Sequence, residues 1–166
     1  GFYSNFSQTI PVLSNSYSLY NKYDFKVYKK LSENMIGSIS YHISAINSLD
    51  DEDVRVSERI NLSSRKLRGF KKGKVGPKDK ESFIGGNYVS TLNFSTTLPQ
   101  ILPSFQNTDF SFFIDMANVW GVDYDSSLDD RSAIRSSTGL SIDLLTPIGP
   151  LNFSFAETLN QASSDK

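Results

Sequence analysis

Long stretches of this 166-residue chain alternate apolar and polar residues with a period of two. Side chains at alternate positions of a β-strand point to opposite faces of a sheet, so this period predicts strands with one apolar and one polar face. No stretch of useful length shows the period of a helix. The pattern predicts strands over residues 2–13, 17–32, 35–47, 88–98, 110–120, 132–146 and 151–159.

These predicted strands are long. A typical strand has about 5–6 residues, whereas a tilted strand that crosses a membrane needs about 9–11. Aromatic residues make up 13% of the chain, with 12 Phe and 8 Tyr, and Ser, Asn, Thr and Asp lie between them. Membrane barrels have this mixture because each strand shows one face to lipid and one to water. A soluble antiparallel sheet with one wet face is the alternative.

The connections predict which strand ends share a side of the membrane. The links at 32–34 and 146–150 are short, whereas the stretches near 48–84 and 121–131 are long, charged and polar. Outer-membrane barrels have short periplasmic turns and longer external loops. We therefore expect the two short links on the periplasmic side and the two long stretches on the outer side.

The composition argues against several classes of function. The chain has no Cys, which excludes disulfides, cysteine zinc sites and thiol catalysis. A net charge of -1 gives no reason to expect a nucleic-acid partner. The single histidine, His42, has no Ser or Asp at a recognisable catalytic spacing, so we expect a water-facing residue and no enzyme or cofactor. The aspartates at 123, 125, 129 and 130 lack the layout of a calcium loop, so we expect no metal.

A basic, glycine-punctuated stretch runs from residue 65 to 86. It contains the tripeptide Arg68-Gly69-Phe70, in which the glycine allows a tight bend that places a guanidinium beside an aromatic ring. A loop this long inside a compact fold is usually functional or disordered. Its lysines are predicted to be solvated rather than to bind lipopolysaccharide or nucleic acid; they are Lys66, Lys71, Lys72, Lys74, Lys78 and Lys80.

Several ordered blocks of residues closely resemble the C-terminal half of the barrel of the BamA family (the bacterial surface antigen family), outer-membrane protein assembly factors of Gram-negative bacteria. Each block is weak alone, and their shared order carries the resemblance. It covers residues 57–159, while 1–56 match in pattern only. The blocks are Ser57-Glu58-Arg59, Leu67-Arg68-Gly69-Phe70, Val75-Gly76-Pro77-Lys78, Gly85-Gly86-Asn87, Phe112-Phe113-Ile114-Asp115, Asn118-Val119-Trp120, Arg135-Ser136-Ser137-Thr138-Gly139 and Thr146-Pro147-Ile148-Gly149-Pro150-Leu151.

The resemblance implies that a loop of about residues 48–86 folds back into the barrel lumen. Its anchor would be Arg68, Gly69 and Phe70. An inward loop also gives an otherwise hollow lumen something to pack against.

The resemblance also implies the partners of this anchor, because it places Asp115 and Phe113 where the family's arginine makes its contacts. These two residues are two apart and therefore share one face of their strand, the polar one. Asn93 stands where the family usually has an acidic residue. We therefore expect a weaker charge network around Arg68 than the family's.

Trp120 and Tyr124 both lie near the outer end of a predicted strand. Trp and Tyr are enriched at membrane–water interfaces. We therefore predict that both belong to a membrane girdle, the alternative for Trp120 being a soluble core.

The resemblance implies that residues 1–166 are the C-terminal part of an outer-membrane barrel domain, without the first barrel half, the periplasmic repeats and the last strand. The absence of an initiator Met agrees with a section of a longer protein. Such a section has two open edges, which are not tolerated in lipid, so we expect it not to form a stable closed barrel alone.

The expected fold class is therefore all-β: an antiparallel transmembrane β-barrel fragment of about seven strands with a long loop in the lumen. The function implied by the resemblance is the templating and insertion of client β-barrels into the outer membrane of a Gram-negative bacterium. The implied partners are assembly-machine lipoproteins, unfolded client proteins and outer-membrane lipids. The alternative is a two-partner secretion or autotransporter-assembly pore of the same superfamily.

Overall fold

The structure, a computed structural model, describes residues 1–11, 17–99, 107–129, 132–162 and 165. Its elements in these ranges are strands, apart from one short 3-10 helix at Ser126–Leu128. The strands are β1 (Phe2–Thr9), β2 (Ser18–Ser32), β3 (Met35–Ser48), β4 (Lys78–Asp79), β5 (Ser82–Phe83), β6 (Tyr88–Thr97), β7 (Thr108–Trp120), β8 (Arg135–Thr146) and β9 (Gly149–Asn160).

One antiparallel sheet contains seven of the described strands, in the order β1-β2-β3-β6-β7-β8-β9. Strands β4 and β5 form a separate hairpin inside the long β3–β6 connection. The prediction of an all-β antiparallel fold is confirmed, with most strand ends within two or three residues of the predicted ones. The small hairpin and the 3-10 helix were not predicted, and residues 12 and 13 lie outside the described ranges.

The register keeps apolar rows continuous across the sheet. Tyr41 of β3 pairs with Phe25 of β2 and with Leu92 of β6, and Leu92 pairs in turn with Met116 of β7. Because directly paired residues share a face, such rows make one face apolar. We call this the outer face, and the opposite one, which carries residues 49–87, the inner face. The predicted apolar phenylalanines Phe94, Phe112, Phe153 and Phe155 lie on the outer face.

The long connection of residues 49–87 packs on the inner face. Leu62, Leu67 and Val75 of this connection form a buried cluster with residues of β6 and β7. Burying a side chain such as Leu67 contributes about 1.5–3 kcal/mol. The strand side of the cluster consists of Val89, Ala117 and Val119, and Ile60 and Phe70 pack against it.

Glycine lets this connection approach the sheet closely at its end. Ile60 and Gly86 exchange backbone hydrogen bonds, with N···O distances of 2.8 and 3.1 Å. A Cβ atom on Gly86 would lie 2.4 Å from the carbonyl oxygen of Trp120, which no other residue could tolerate without backbone movement. The close approach fixes where the connection rejoins the sheet.

The two ends of the sheet differ in the length of their connections, as the sequence predicted. Two-residue links at 33–34 and 147–148 join β2 to β3 and β8 to β9 at one end. The long connections 49–87 and 121–134 leave the opposite end. Among the described residues, no helix has the length and apolar character needed to cross a membrane.

Candidate functional site

Arg68 of the infolded connection pairs with Asp115 of β7. The guanidinium Nε and Nη2 donate to the two carboxylate oxygens at 2.7 Å each, and the backbone N–H of Arg68 donates to Oδ2 at 3.1 Å. The Asp115 side chain is 0% exposed and that of Arg68 is 20% exposed. Parallel charge-assisted bonds of this kind are strong and fix the orientation of both groups.

Phe113 completes this contact from the same strand. The centroid of its ring lies 3.5 Å from the guanidinium carbon of Arg68, within the range of a cation–π contact. Phe113 and Asp115 are both fully buried on the inner face. The structure thus brings together the three side chains that the resemblance pointed to, and we call Arg68, Phe113 and Asp115 the arginine clamp.

Asn93 supports the clamp from the neighbouring strand, directly opposite Asp115 in the β6–β7 register. Its Nδ2 donates to Asp115 Oδ1 at 2.9 Å and to the carbonyl oxygen of Lys66 at 2.8 Å. Its Oδ1 accepts from the Thr91 hydroxyl at 3.3 Å. The sequence led us to expect that an amide here would weaken the network. A second carboxylate could not donate either bond when ionised, so the amide satisfies Asp115 and binds the loop backbone without adding a second negative charge.

Gly69 carries the loop past the clamp with a left-handed backbone, φ being 87°. A Cβ atom there would lie 3.0 Å from Ala156 Cβ of β9 and 3.7 Å from Ser137 Cβ of β8. The next residue, Phe70, is half-buried against the inner-face cluster. The tripeptide therefore makes three kinds of contact: an ion pair, a close backbone approach and apolar packing.

A second ion pair binds the connection to β2, near the other edge of the sheet. Lys66 Nζ lies 3.1 Å from Asp24 Oδ1 on β2, and Lys22 Nζ lies 3.1 Å from Oδ2 of the same carboxylate. His42 Nδ1 donates to Asp24 Oδ1 at 2.7 Å. Its Nε2 lies 2.9 Å from the Ser44 hydroxyl. Lys66 and Arg68 thus connect β2 and β7 through the same short segment.

The sequence predicted that His42 faces water and has no Ser or Asp partner, and the structure contradicts both points. It is buried. Asp24 lies opposite it in the β2–β3 register, and Ser44 follows two residues later on the same face. The order Asp–His–Ser has the form of a catalytic relay. Ser44 is 1% exposed, so no substrate has access to its hydroxyl, and we interpret the group as a structural network.

A third contact holds the start of the connection at the loop end of the sheet. Arg59 Nη2 pairs with Asp123 Oδ1, and Asp123 Oδ2 accepts from the Val54 N–H at 2.8 Å and from Asn87 Nδ2 at 3.0 Å. Burial acts to raise the pKa of Asp123, but the bonds from Val54 and Asn87, with the charge of Arg59, outweigh it and lower the pKa below its ordinary value. The carboxylate thus stays ionised in the folded chain.

The two predicted girdle residues occupy different environments. Trp120 stacks on Tyr88, its partner in register, with ring centroids 5.7 Å apart; both lie on the outer face, as a girdle requires. The ring of Tyr124 instead lies 4.9 Å from the guanidinium carbon of Arg59, and its hydroxyl donates to Asp79 at 3.3 Å. For Tyr124 the girdle prediction is therefore corrected: the chain has left the strand, and the ring packs on the infolded connection.

Sequence reasoning missed a buried ion pair at β8. Arg135 Nε and Nη2 donate to the carboxylate of Asp165 at 2.8 and 2.9 Å, and neither side chain has exposed surface. An arginine amid small uncharged residues was the signal available, since a buried cation needs a partner. Within the described ranges, no three His, Cys, Asp or Glu side chains are grouped so that they could hold a metal ion.

Comparison with known proteins shows which family this chain resembles. The sequence model of the Omp85 superfamily domain matches residues 1–166. Outer membrane protein assembly factor BamA of Neorickettsia risticii is 30% identical over 118 residues, which cover 69% of this chain and 16% of that protein. A SAM50-like protein of Schizosaccharomyces pombe is 29% identical over 137 residues, 78% of this chain and 28% of that protein.

The fold matches a solved structure as well. The crystal structure of BamA from Haemophilus ducreyi lacking POTRA domains 1-3 superposes with a TM-score of 0.89 at 22% identity, covering 99% of this chain and 36% of that one. This chain therefore spans well under half the length of each of these proteins.

Proposed function

Because the chain belongs to the Omp85 superfamily, we propose that residues 1–166 are the C-terminal part of the barrel domain of an outer-membrane protein assembly factor. The whole protein would receive unfolded client β-barrels and insert them into the membrane. The names of the BamA and SAM50-like relatives support this proposal. The arginine clamp is the observation in this chain that carries it, because the clamp holds the superfamily loop on the inner face.

We propose that the activity needs no covalent step and no cofactor. In hydrocarbon each unpaired backbone N–H or C=O costs several kcal/mol. A client strand that pairs with an exposed strand edge avoids that cost and can enter the membrane as part of a sheet. The barrel would then act as a template rather than as an enzyme.

The clamp would contribute by fixing the loop and the barrel wall relative to each other. Its carboxylate is on β7, its supporting amide is on β6, and Gly69 lies against β8 and β9. Lys66 extends the same connection to β2. A loop held in this way stabilises the wall against which a template edge must keep its register.

The proposed setting is the outer membrane of a Gram-negative bacterium. The ordered sequence blocks that resemble the BamA family support the bacterial setting, while the SAM50-like relative makes a mitochondrial outer membrane the other candidate. The proposed partners are assembly-machine lipoproteins, unfolded client proteins and outer-membrane lipids, without nucleic acid.

The test is replacement of Arg68 in the full-length protein. In cells depleted of the native protein, we expect Arg68→Ala to reduce the amount of folded client barrels, measured by heat-modifiable migration on gels. The matched control is Arg65→Ala, which removes an exposed arginine of the same segment and should leave client folding unchanged.

Two results would contradict the proposal. If the Arg68→Ala protein is present at the normal level and client barrels still fold normally, the clamp has no role in client folding. Loss of secretion of one passenger protein with unchanged folding of client barrels would identify a secretion pore instead.

A further inference from the structure

An apolar groove of about 350 Å³ lies on the outer face, near the end of the sheet that carries the short β2–β3 link. Its volume is at the lower end of the range of small-molecule sites. Its walls and floor include Val27, Lys29, Leu31, Gly37, Phe94 and Phe112.

The register explains why the sheet is hollow at this place. One row across the sheet consists of Lys29, Gly37, Thr96 and Phe112, paired strand by strand. Small side chains therefore occupy the middle of the row and large ones its ends. A row of this profile leaves a groove that Gly37 and Thr96 help to line.

A β-bulge builds one wall of the groove. Pairing passes from Lys30 with Ile36 to Ser32 with Met35, which leaves Leu31 without a partner in register. Bulges of this kind redirect a side chain. Here Leu31 leans over Gly37, since a Cβ atom on Gly37 would lie 2.9 Å from Leu31 Cδ1.

We propose that this groove binds one acyl chain of an anionic phospholipid, with the lipid phosphate at Lys29. The proposal rests on the membrane setting proposed above, in which the outer face meets hydrocarbon. Gly37 lies three residues from the 33–34 link, or about 10 Å along the strand, which is within reach of the leaflet on that side. Lysine keeps its stem on apolar surface and its ammonium at the interface, where it attracts anionic headgroups.

The experiment measures retained lipid on the purified full-length protein by native mass spectrometry, with phosphatidylglycerol and phosphatidylcholine as probes. We expect the unaltered protein to retain one phosphatidylglycerol in preference to phosphatidylcholine. Gly37→Phe, whose side chain would meet Leu31 and push it into the groove, should weaken retention about tenfold. Ser90→Phe adds the same ring elsewhere on the outer face and should not. Thr96→Leu fills the groove from the neighbouring strand and serves where Gly37→Phe does not fold.

The charge part of the proposal has its own pair of variants. Lys29→Ala should abolish the preference for phosphatidylglycerol, whereas Lys30→Ala, which removes a charge from the inner face, should keep it. Equal retention by the unaltered protein and the filled-groove variants would overturn the proposal, because the lipid would then be ordinary surrounding lipid. Displacement of the lipid by a client peptide would overturn it too. The lipid measurement does not depend on the folding of client proteins. A failure of the lipid proposal can therefore be distinguished from a failure of the proposed function.

Discussion

Arg68→Ala is the substitution whose consequence follows most directly from the geometry of the clamp. It removes both guanidinium bonds to Asp115 and the contact with Phe113. Removing one partner of a buried ion pair costs about 3–5 kcal/mol, compared with about 0.2–1 kcal/mol for an exposed pair. Asp115 is 0% exposed, so the buried case applies to the carboxylate that is left behind.

The remaining bonds decide where in that range the value falls. Asp115 keeps the Asn93 amide at 2.9 Å and the residue 68 backbone N–H at 3.1 Å. Both donors still stabilise the ionised carboxylate, and water can reach the space left by a guanidinium that was already 20% exposed. We therefore expect a loss of about 3 kcal/mol, the lower end of the buried range.

The assay is denaturant unfolding of the full-length protein in lipid, followed through the loss of the heat-modifiable band. A double-mutant cycle with Asp115→Ala isolates the pair, because each single change then removes the same interaction. Arg68→Lys keeps the charge but cannot make both parallel bonds to the carboxylate. Its stability should therefore lie between those of the unaltered protein and Arg68→Ala. The reasoning is refuted if Arg68→Ala costs under about 1 kcal/mol, or if the cycle shows no coupling between the two residues.

Three further changes test other contacts. Asn93→Asp replaces an amide donor by a second carboxylate beside Asp115, so it should destabilise the protein by about 1–3 kcal/mol at neutral pH, measured by denaturant unfolding. The pKa of Asp123 is lowered from 3.8 in the folded chain, so its contribution is present above that value and is lost as the pH falls through the folded pKa; Asp123→Asn should reduce the acid-dependent loss of stability below about pH 4. Gly69→Ala should cost more than Gly73→Ala, because both positions have positive φ but only at Gly69 would the new Cβ meet a neighbour; equal costs in thermal unfolding would contradict the close approach to β9.

The strands could be predicted from the sequence because their signal is local. A period of two over ten or more residues marks each strand and assigns its faces, which is why β3 and β7 appear almost at their predicted bounds. The chemical contacts depend on register, which alternation alone does not give. Asp24 meets His42 only because β2 and β3 pair with that offset, and no spacing along the chain indicates it.

The path of the long connection shows the same limit. Its basic composition predicted a solvated loop, and the exposed lysines such as Lys71 and Lys72 agree with that reading. Arg59, Lys66 and Arg68 instead find carboxylates on strands or loops that are distant in sequence. The resemblance to a family pointed to the Arg68 contact, whereas Arg59 and Lys66 required the folded sheet.

Two of the ion pairs that hold this connection differ in their access to water, and this difference gives them separate roles. Lys66 and Asp24 keep 33% and 20% of their side chains exposed, so solvent and salt weaken the pair. The carboxylate of Asp115 is dry, and the backbone of the loop adds to its bonds. The arginine clamp therefore contributes more than the Lys66 pair to keeping the loop inside. The Lys66 contact sets where the loop lies relative to β2.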